Sequence, residues 1–595
     1  MQKSKQLPIG IDLGTSTSVI AVFRDGKPQP VPDVSSKSKS PVVPSIVALD
    51  SKNLLTVGEK ARRYADLPGR GVREVKRVME EPILIPLDNQ EYRPEQISSV
   101  ILKKLAENAA ALYGEFTDVV LSVPAIFTDV GKHNTVQAAK LAGLNVIHLI
   151  SEPTAAALAY GINNLDADEK VLVFDFGGGT LDISIIEMMD GVLDVSGTYG
   201  DSQLGGKDFD SALVNLTIEK FKKEEGEDIE ITPLAHSQLK EYIELCKKQL
   251  SEHNSTKIEI FNFGIKDGIP YDLDMTISRE EFNEATIHLV EKAKACLDKA
   301  LQITNSSADS IQRVLLVGGS THIPAVQEML KSIFNCSLSS EVNPEYAVSL
   351  GTAIQAARLQ NDSDELILVD KYPYGIGVEI MALTGNGLQM VYDPLSKPNS
   401  TVPYSVSKEY TLLYTEQERL EIRVFQTMNP NTRSLGETIF TGISATIEDI
   451  PHATGGDPHP IIVDFSINTN HLIKLKATIS STGQSLDLKL NPNELRIDDP
   501  KELQVAQDQV DGLWSSSASD SQEDLDDLVF LDESMVVKDS QLEEKARLLA
   551  QRLDTESQDQ VLTIINRIKS ARVLGEKEKQ TQREDELIQL LMELQ

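Results

Sequence analysis

Ile9-Gly-Ile-Asp-Leu-Gly-Thr15 and Val173-Phe-Asp-Phe-Gly-Gly-Gly-Thr180 state one theme twice: an apolar strand, an aspartate, then glycine and threonine. A glycine-rich turn after a strand lets backbone N–H groups approach a polyphosphate closely. An aspartate at the strand end can hold the water shell of Mg2+, a cation that takes few direct carboxylates. One such turn is weak evidence, because a strand–Gly–Thr turn is more often a simple hairpin. Two copies in matching contexts, with a third glycine loop at Leu316-Val-Gly-Gly-Ser-Thr321 after another strand, point to two similar lobes that face each other.

Around these turns, short β-rich runs (9–11, 19–23, 119–123, 171–174, 183–187, 314–317) alternate with longer helical stretches such as 95–113 and 282–301. That alternation predicts an α/β domain with largely buried sheets over residues 7–361. Residues 362–370 read as a linker in which Leu366-Ile-Leu-Val369 is an apolar string between charged flanks, and a passive tether has no need of one. We expect it to dock on the preceding domain near Lys132 and Pro124. Near-alternation at 420–425, 461–467 and 472–479, punctuated by turn-rich pieces, predicts an antiparallel β-sandwich over 371–492.

Residues 498–533 hold twelve Asp/Glu against one Lys, together with the only tryptophan, Trp514. The region 493–539 therefore reads as a flexible acidic tether. Leu542, Ala546, Leu549 and Leu553, then Val561 to Ile568 and Leu587 to Leu594, recur at three- and four-residue spacing, so 540–595 is expected to form short amphipathic helices. Packing on each other or on a second chain, as a dimerising tail, would bury their stripes.

With 595 residues, several domains are required rather than one core. The net charge of −34 argues against affinity for nucleic acid, and no apolar run is long enough for a membrane span. Met1-Gln-Lys-Ser-Lys-Gln6 leads within a few residues to Asp12, which interrupts any secretory h-region. Cys246, Cys296 and Cys336 are widely spaced and odd in number, which fits buried thiols in a reducing cytoplasm better than a disulfide framework.

The two duplicated turns, Val123-Pro-Ala125, Ile150-Ser-Glu-Pro-Thr-Ala-Ala-Ala-Leu-Ala-Tyr-Gly161, Leu204-Gly-Gly206 and Leu316-Val-Gly-Gly-Ser-Thr321 together resemble the DnaK-type heat-shock chaperone family. The likeness covers the α/β domain end to end, continues more weakly through the linker and β domain, and fades after about residue 492. It implies an actin-like, two-lobed ATPase domain that binds ATP or ADP with Mg2+, and potentially K+.

By position, the resemblance implies that Asp12 and Asp175 hold the metal through water, and that Gly14, Thr15, Ser16, Gly177, Gly178, Gly179, Thr180, Gly205 and Gly206 surround the phosphates. Lys76 would place its ammonium against the γ-phosphate and the attacking water, with Glu152 and Asp182 beside it. Glu244, Lys247, Lys248, Ser251, Gly318, Gly319, Ser320 and His322 would form the adenosine side. Pro124, Lys132, Leu366 and Leu368 would couple the domains. In the β domain, Ile376, Val378, Met381, Tyr410, Leu413, Leu420, Ile422 and Val424 would line a cleft for extended apolar peptides, although plain core packing explains the same alternation.

Three positions depart from the family: His322 replaces an Arg beside the adenine, Lys207 a Glu after the paired glycines, and Lys132 an Arg that meets the linker. The leading expectation is a cytoplasmic ATP-dependent chaperone, partnered by unfolded peptides, a J-domain co-chaperone and a nucleotide exchange factor. A relative that promotes nucleotide exchange on another chaperone is the alternative, and a small-molecule kinase on the same fold is a third. Phosphoryl transfer to water needs positioning and charge neutralisation, and with no dedicated strong base in view the hydrolysis should be slow.

Overall fold

The computed structural model describes residues 7–490, apart from positions 68, 163, 165–167, 227, 340, 362–366 and 386, and residues 500–517. Leu366 and the helices expected over 540–595 lie outside the described residues. Two compact units emerge: 7–209 together with 286–517, and 210–285. The second unit interrupts what the sequence suggested as one α/β domain. No described helix is long and apolar enough to cross a membrane.

Two sheets of the first unit share a plan. Ile9–Asp12 runs parallel to Asp118–Val123 and antiparallel to Thr17–Arg24. Glu169–Phe176 runs parallel to Arg313–Val317 and antiparallel to Leu181–Met189. Their residues Ile9, Ile11, Val19 to Val22 and Val171 to Phe174 are buried, as continuous apolar strands covered on both faces require. The helices Glu152–Gly161 and Ala347–Asn361 cover them and meet where Ala155 lies against Gly351. Each duplicated strand thus delivers its aspartate, Asp12 or Asp175, to the start of a glycine turn.

The linker Ile367–Val369 adds an edge strand, parallel to Val192, Leu193 and Asp194 of Val192–Asp201, and Leu368 packs on the core that holds Leu193 and Val195. This corrects the expected docking place of the apolar string, because a sheet edge satisfies its backbone as well as its side chains. The residues just after it are the ones that reach Lys132, whose ammonium lies 4.2 Å from the centre of the Tyr372 ring.

Residues 371–490 form antiparallel strands bonded in the order Gly387–Pro394, Gly375–Thr384, Leu420–Thr427, Ile439–Ile447, Ser485–Leu490, Ile473–Ile479, Pro460–Ile467 and Tyr404–Thr411. Ile376, Val378, Ile422 and Val424 are buried in their shared core. The sequence reading of these four as cleft-lining is therefore corrected: alternation marks a face without saying whether it turns inward. Leu420 and Tyr410 pack at the margin of that core, and the Tyr410 hydroxyl donates to Asp393 at 2.8 Å. Met381 and Leu413 are exposed.

A second correction concerns the acidic stretch. Pro500–Ser515 is a helix on the α/β half, with Ala506, Val510 and Leu513 buried and Trp514 half-buried against the core that includes Ile97 and Ile101. Its acids stay outside and meet cations: Asp511 pairs with Lys103, and Glu502 lies 3.8 Å from Arg93. The Gln96 amide donates to Gln509 Oε1 at 2.7 Å, and the Leu55 N–H donates to the Ser516 carbonyl at 3.2 Å. Counting charges averaged both faces of this helix and hid its apolar stripe.

In the second unit, the antiparallel strands Glu230–Ile231, Ser255–Lys266 and Ile269–Ser278 form one sheet. Leu239, Ile243 and Leu250 of the helix Pro233–Glu252 are buried there, and Phe221 meets Phe263 edge-on at 4.9 Å. The cysteines are free: Cys246 and Cys296 are buried, while Cys336 is partly exposed.

Val510→Asp should detach the Pro500–Ser515 helix, because burying a Val contributes about 1.5–3 kcal/mol and an unpaired buried carboxylate opposes docking strongly. Trp514 is the only tryptophan, so its emission reports the outcome: a red shift and easier quenching are expected, and unchanged emission would contradict the docking.

Candidate functional site

The glycine loops converge. A Cβ on Gly178 would collide with Ser16 Oγ, and one on Gly205 with the backbone of Gly178 and Gly179, so only glycine permits this approach. Gly206 and Lys207 donate N–H groups to the Gly177 and Gly178 carbonyls at 3.0 and 2.9 Å. The third loop joins through Ser320 Oγ, which donates to the Gly177 carbonyl at 2.7 Å. Ser45 Oγ donates to the Gly14 carbonyl at 2.8 Å and fixes the first turn. Thr15 and Thr180 are buried beside these loops.

Behind them lies a buried charge cluster. The short turn Val75–Val78 directs Lys76 inward, where it is 5% exposed and pairs with Glu152. Asp12 accepts a hydrogen bond from Ser122 Oγ at 2.9 Å. Asp175 and Asp182 are register partners on adjacent strands. Asp182 Oδ1 accepts the Ile126 N–H at 3.2 Å, while its Oδ2 has no hydrogen-bond partner among the described residues.

Charge in this cluster is unbalanced. Burial, then the Glu152 charge, push Asp12 up to about 7 and Asp182 up to about 7. Burial and the same carboxylate, with Asp182 and Asp12, raise Asp175 well above the carboxylate range. Burial pulls Lys76 down, but Glu152, Asp12 and Asp175 outweigh it and hold the ammonium above its ordinary value. One cation among four carboxyls is a deficit that a further cation would relieve. Among the described residues no three His, Cys, Asp or Glu side chains are close enough to hold a metal directly. Asp12 and Asp175 stand where the duplicated strands run into the glycine turns, and such carboxylates are of the type a Mg2+ that keeps its waters accepts.

The residues expected on the adenosine side are divided. In the second unit, Lys247 pairs with Asp210 at 2.7 Å, Lys248 with Glu244 at 3.1 Å, and Ser251 Oγ donates to the Lys247 carbonyl. In the first, Gly318, Gly319 and Ser320 form the third loop, and His322 is exposed.

A family model described as Hsp70 protein matches residues 8–83 and 80–595. The chain belongs to the Hsp70 family. It is accordingly an ATP-dependent chaperone with ATPase activity, dependent on ATP and Mg2+ as the family is in general, with peptide clients and co-chaperones as its general class of partner.

Contacts that the sequence did not reveal link the buried charge cluster to the β domain. Asp182 holds the Ile126 N–H, and the Ile126 carbonyl accepts the Tyr374 hydroxyl. Glu80, four residues after Lys76, accepts the Thr128 N–H at 2.6 Å, and Asn134 Nδ2 donates to the Met79 carbonyl at 2.8 Å. Across the same interface Asp129 accepts the Ile473 N–H at 3.1 Å, and Asn470 Oδ1 accepts the Leu149 N–H at 3.3 Å. The signals for this region were Val123-Pro-Ala125, Lys132 and the apolar linker string. Pro124 closes the turn by accepting the Phe127 N–H at 3.1 Å.

Ionisable groups crowd the interface. His471 lies 3.2 Å from Asp370. Burial and His471 lower His148 to about 4, against Asn470 and Asp370, with Arg358 adding to the fall. Burial lowers Lys132 to about 8 in spite of Asp129, Glu80 and Asp370. Burial would raise Asp370, but His471, the Lys371 N–H and His148 leave it below its ordinary value.

The signs agree. A depressed His148 favours docking while neutral, so its contribution is full above about 6.5 and is lost as pH falls toward 4. Going from pH 7.5 to 5.5 should weaken β-domain docking about tenfold through this residue alone. Fluorophores on the two halves of the full chain would report the change. His148→Gln should flatten the profile, and a wild-type profile that is already flat would contradict the assignment.

Proposed function

We propose that Asp12 and Asp175 hold Mg2+ through water, and that Thr15, Thr180 and the turns at Gly14–Ser16, Gly177–Gly179 and Gly205–Gly206 hold the β- and γ-phosphates. The bound metal would neutralise phosphate charge. Lys76 presses its ammonium on the γ-phosphate and orients the attacking water, while Glu152 fixes Lys76 and Asp182 carries the state of the site to the 124–128 turn. The residues of the Gly318 loop and His322 would contribute to holding the adenosine. Oriented N–H dipoles and one buried ammonium lower the barrier without a strong base, which suits slow hydrolysis.

The β domain captures extended apolar peptides. Met381 pairs with Met390 and Leu383 with Leu388 across one hairpin, and all four are exposed. With Leu413 they offer apolar contacts beside a strand edge able to pair a peptide backbone. Cycles of capture and release follow hydrolysis, assisted by a J-domain co-chaperone and an exchange factor, in the cytoplasm. The observation that carries this reading is the buried Lys76 within its carboxylate ring, joined through Asp182 and Ile126 to Tyr374 of the β domain.

Single-turnover hydrolysis with and without an extended apolar peptide tests it. Peptide should accelerate the wild type, and Lys76→Ala should cut the rate by a factor on the order of 10^2 while ATP still binds. Wild-type turnover in Lys76→Ala would sink the role of Lys76. Hydrolysis indifferent to peptide would favour the relative that serves exchange on another chaperone.

A further inference from the structure

Two ion pairs span the entrance to the phosphate loops. Arg77 Nη2 lies 3.2 Å from both Asp208 oxygens, and Lys207 Nζ lies 3.7 Å from Glu74 Oε1. Glu74 and Arg77 flank Lys76 on the Val75–Val78 turn. Lys207 and Asp208 begin the helix that follows Gly205, whose own N–H donates to Asp208 Oδ2 at 2.7 Å. The clamped segments thus carry the γ-phosphate lysine on one side and a phosphate-facing glycine turn on the other.

Three observations tie the clamp to the nucleotide rather than to general stability. A Cβ on Gly179 would come within 3.0 Å of Arg77 Cγ, so the Arg77 stem lies on the phosphate loop itself. Lys207 donates its N–H to the Gly178 carbonyl, so a movement of Lys207 is a movement of that loop. Glu74 sits in the left-handed region at φ 60° and ψ 23°, a conformation unfavourable for a side-chain-bearing residue unless its surroundings impose it. The Lys207 side chain is 12% exposed and that of Glu74 28%. A cavity of about 470 Å3, lined in part by Glu74, Arg77 and Gln203, keeps the clamp near solvent. Pairs at such a boundary shift equilibria by a few-fold, which suits the tuning of a rate.

We propose that the Lys207–Glu74 pair, working with Arg77–Asp208, is a latch across the phosphate site that sets how fast bound nucleotide leaves. This rests on the phosphate-site reading above. Lys207 and Glu74 carry complementary charges, which gives the latch a definite polarity. Lys207 and Glu74 are positioning residues: they act through the Lys76 turn and the Gly178 loop.

The test is a charge-swap cycle on the full chain, read as the dissociation rate of fluorescently labelled ADP chased by excess ATP. Lys207→Glu and Glu74→Lys should each speed release about fivefold, and the double swap should return the rate to within about twofold of wild type. Thermal melts establish that each variant is folded. Should a single variant fail to fold, the wild type still decides: its release should quicken from low to high salt as the pairs are screened. Salt-independent release, singles that match the wild type, or a double swap as fast as both singles combined would overturn the latch. Failure of the wild type to bind labelled ADP would overturn the phosphate-site reading beneath it.

Discussion

A single ammonium, that of Lys76, is buried among Asp12, Glu152, Asp175 and Asp182, and the rest of the site is arranged around that imbalance. Removing any one partner from water is costly, and burial repays it only where charges and hydrogen bonds close around them. Here they close incompletely. Three of the carboxyls are pushed upward and one oxygen of Asp182 is left without a partner among the described residues. The cluster therefore has room for more positive charge, which is the ground on which the proposed metal and phosphate site rests.

The same carboxylates reach outward. Asp182 leaves one oxygen without a partner among the described residues and holds the Ile126 N–H with the other, and the carbonyl of Ile126 receives the Tyr374 hydroxyl. The proposed coupling would run through the Ile126 turn, which the β domain contacts through Tyr374. Lys132, Asp129 and Glu80 lie on and beside that turn, close to Tyr372. The linker strand seated beside Val192 to Asp194 fixes how far Tyr372 and Tyr374 stand from it. A path of hydrogen bonds and packed rings thus runs from the buried charge cluster to the β domain.

How legible this was depended on what each residue's role demands of its type. The convergence of the glycine turns was legible because close backbone approach admits only glycine, and Asp12 and Asp175 because each stands at the same place in a duplicated strand. Lys76 was singled out only through family resemblance, since a lysine in Val75-Lys-Arg77 has no mark of its own. Ile126, Leu149 and Ile473 act through backbone atoms, which leave no trace in side-chain identity, and Tyr374 meets its partner 248 residues away. Ile376, Val378, Ile422 and Val424 show that period-two alternation identifies a face but not its direction. Ala506, Val510 and Leu513 did carry a helical stripe, which a count of acids over the whole region concealed.

Tyr374 offers the most direct test of the claim that the nucleotide site and the β domain are joined through the Ile126 turn. Tyr374→Phe removes one hydroxyl and leaves the ring in place, so basal hydrolysis and ATP binding should stay near wild type. What should fall is the acceleration of single-turnover hydrolysis by an extended apolar peptide. Loss of that acceleration at unchanged basal rate is the predicted result; full acceleration in Tyr374→Phe would contradict the account.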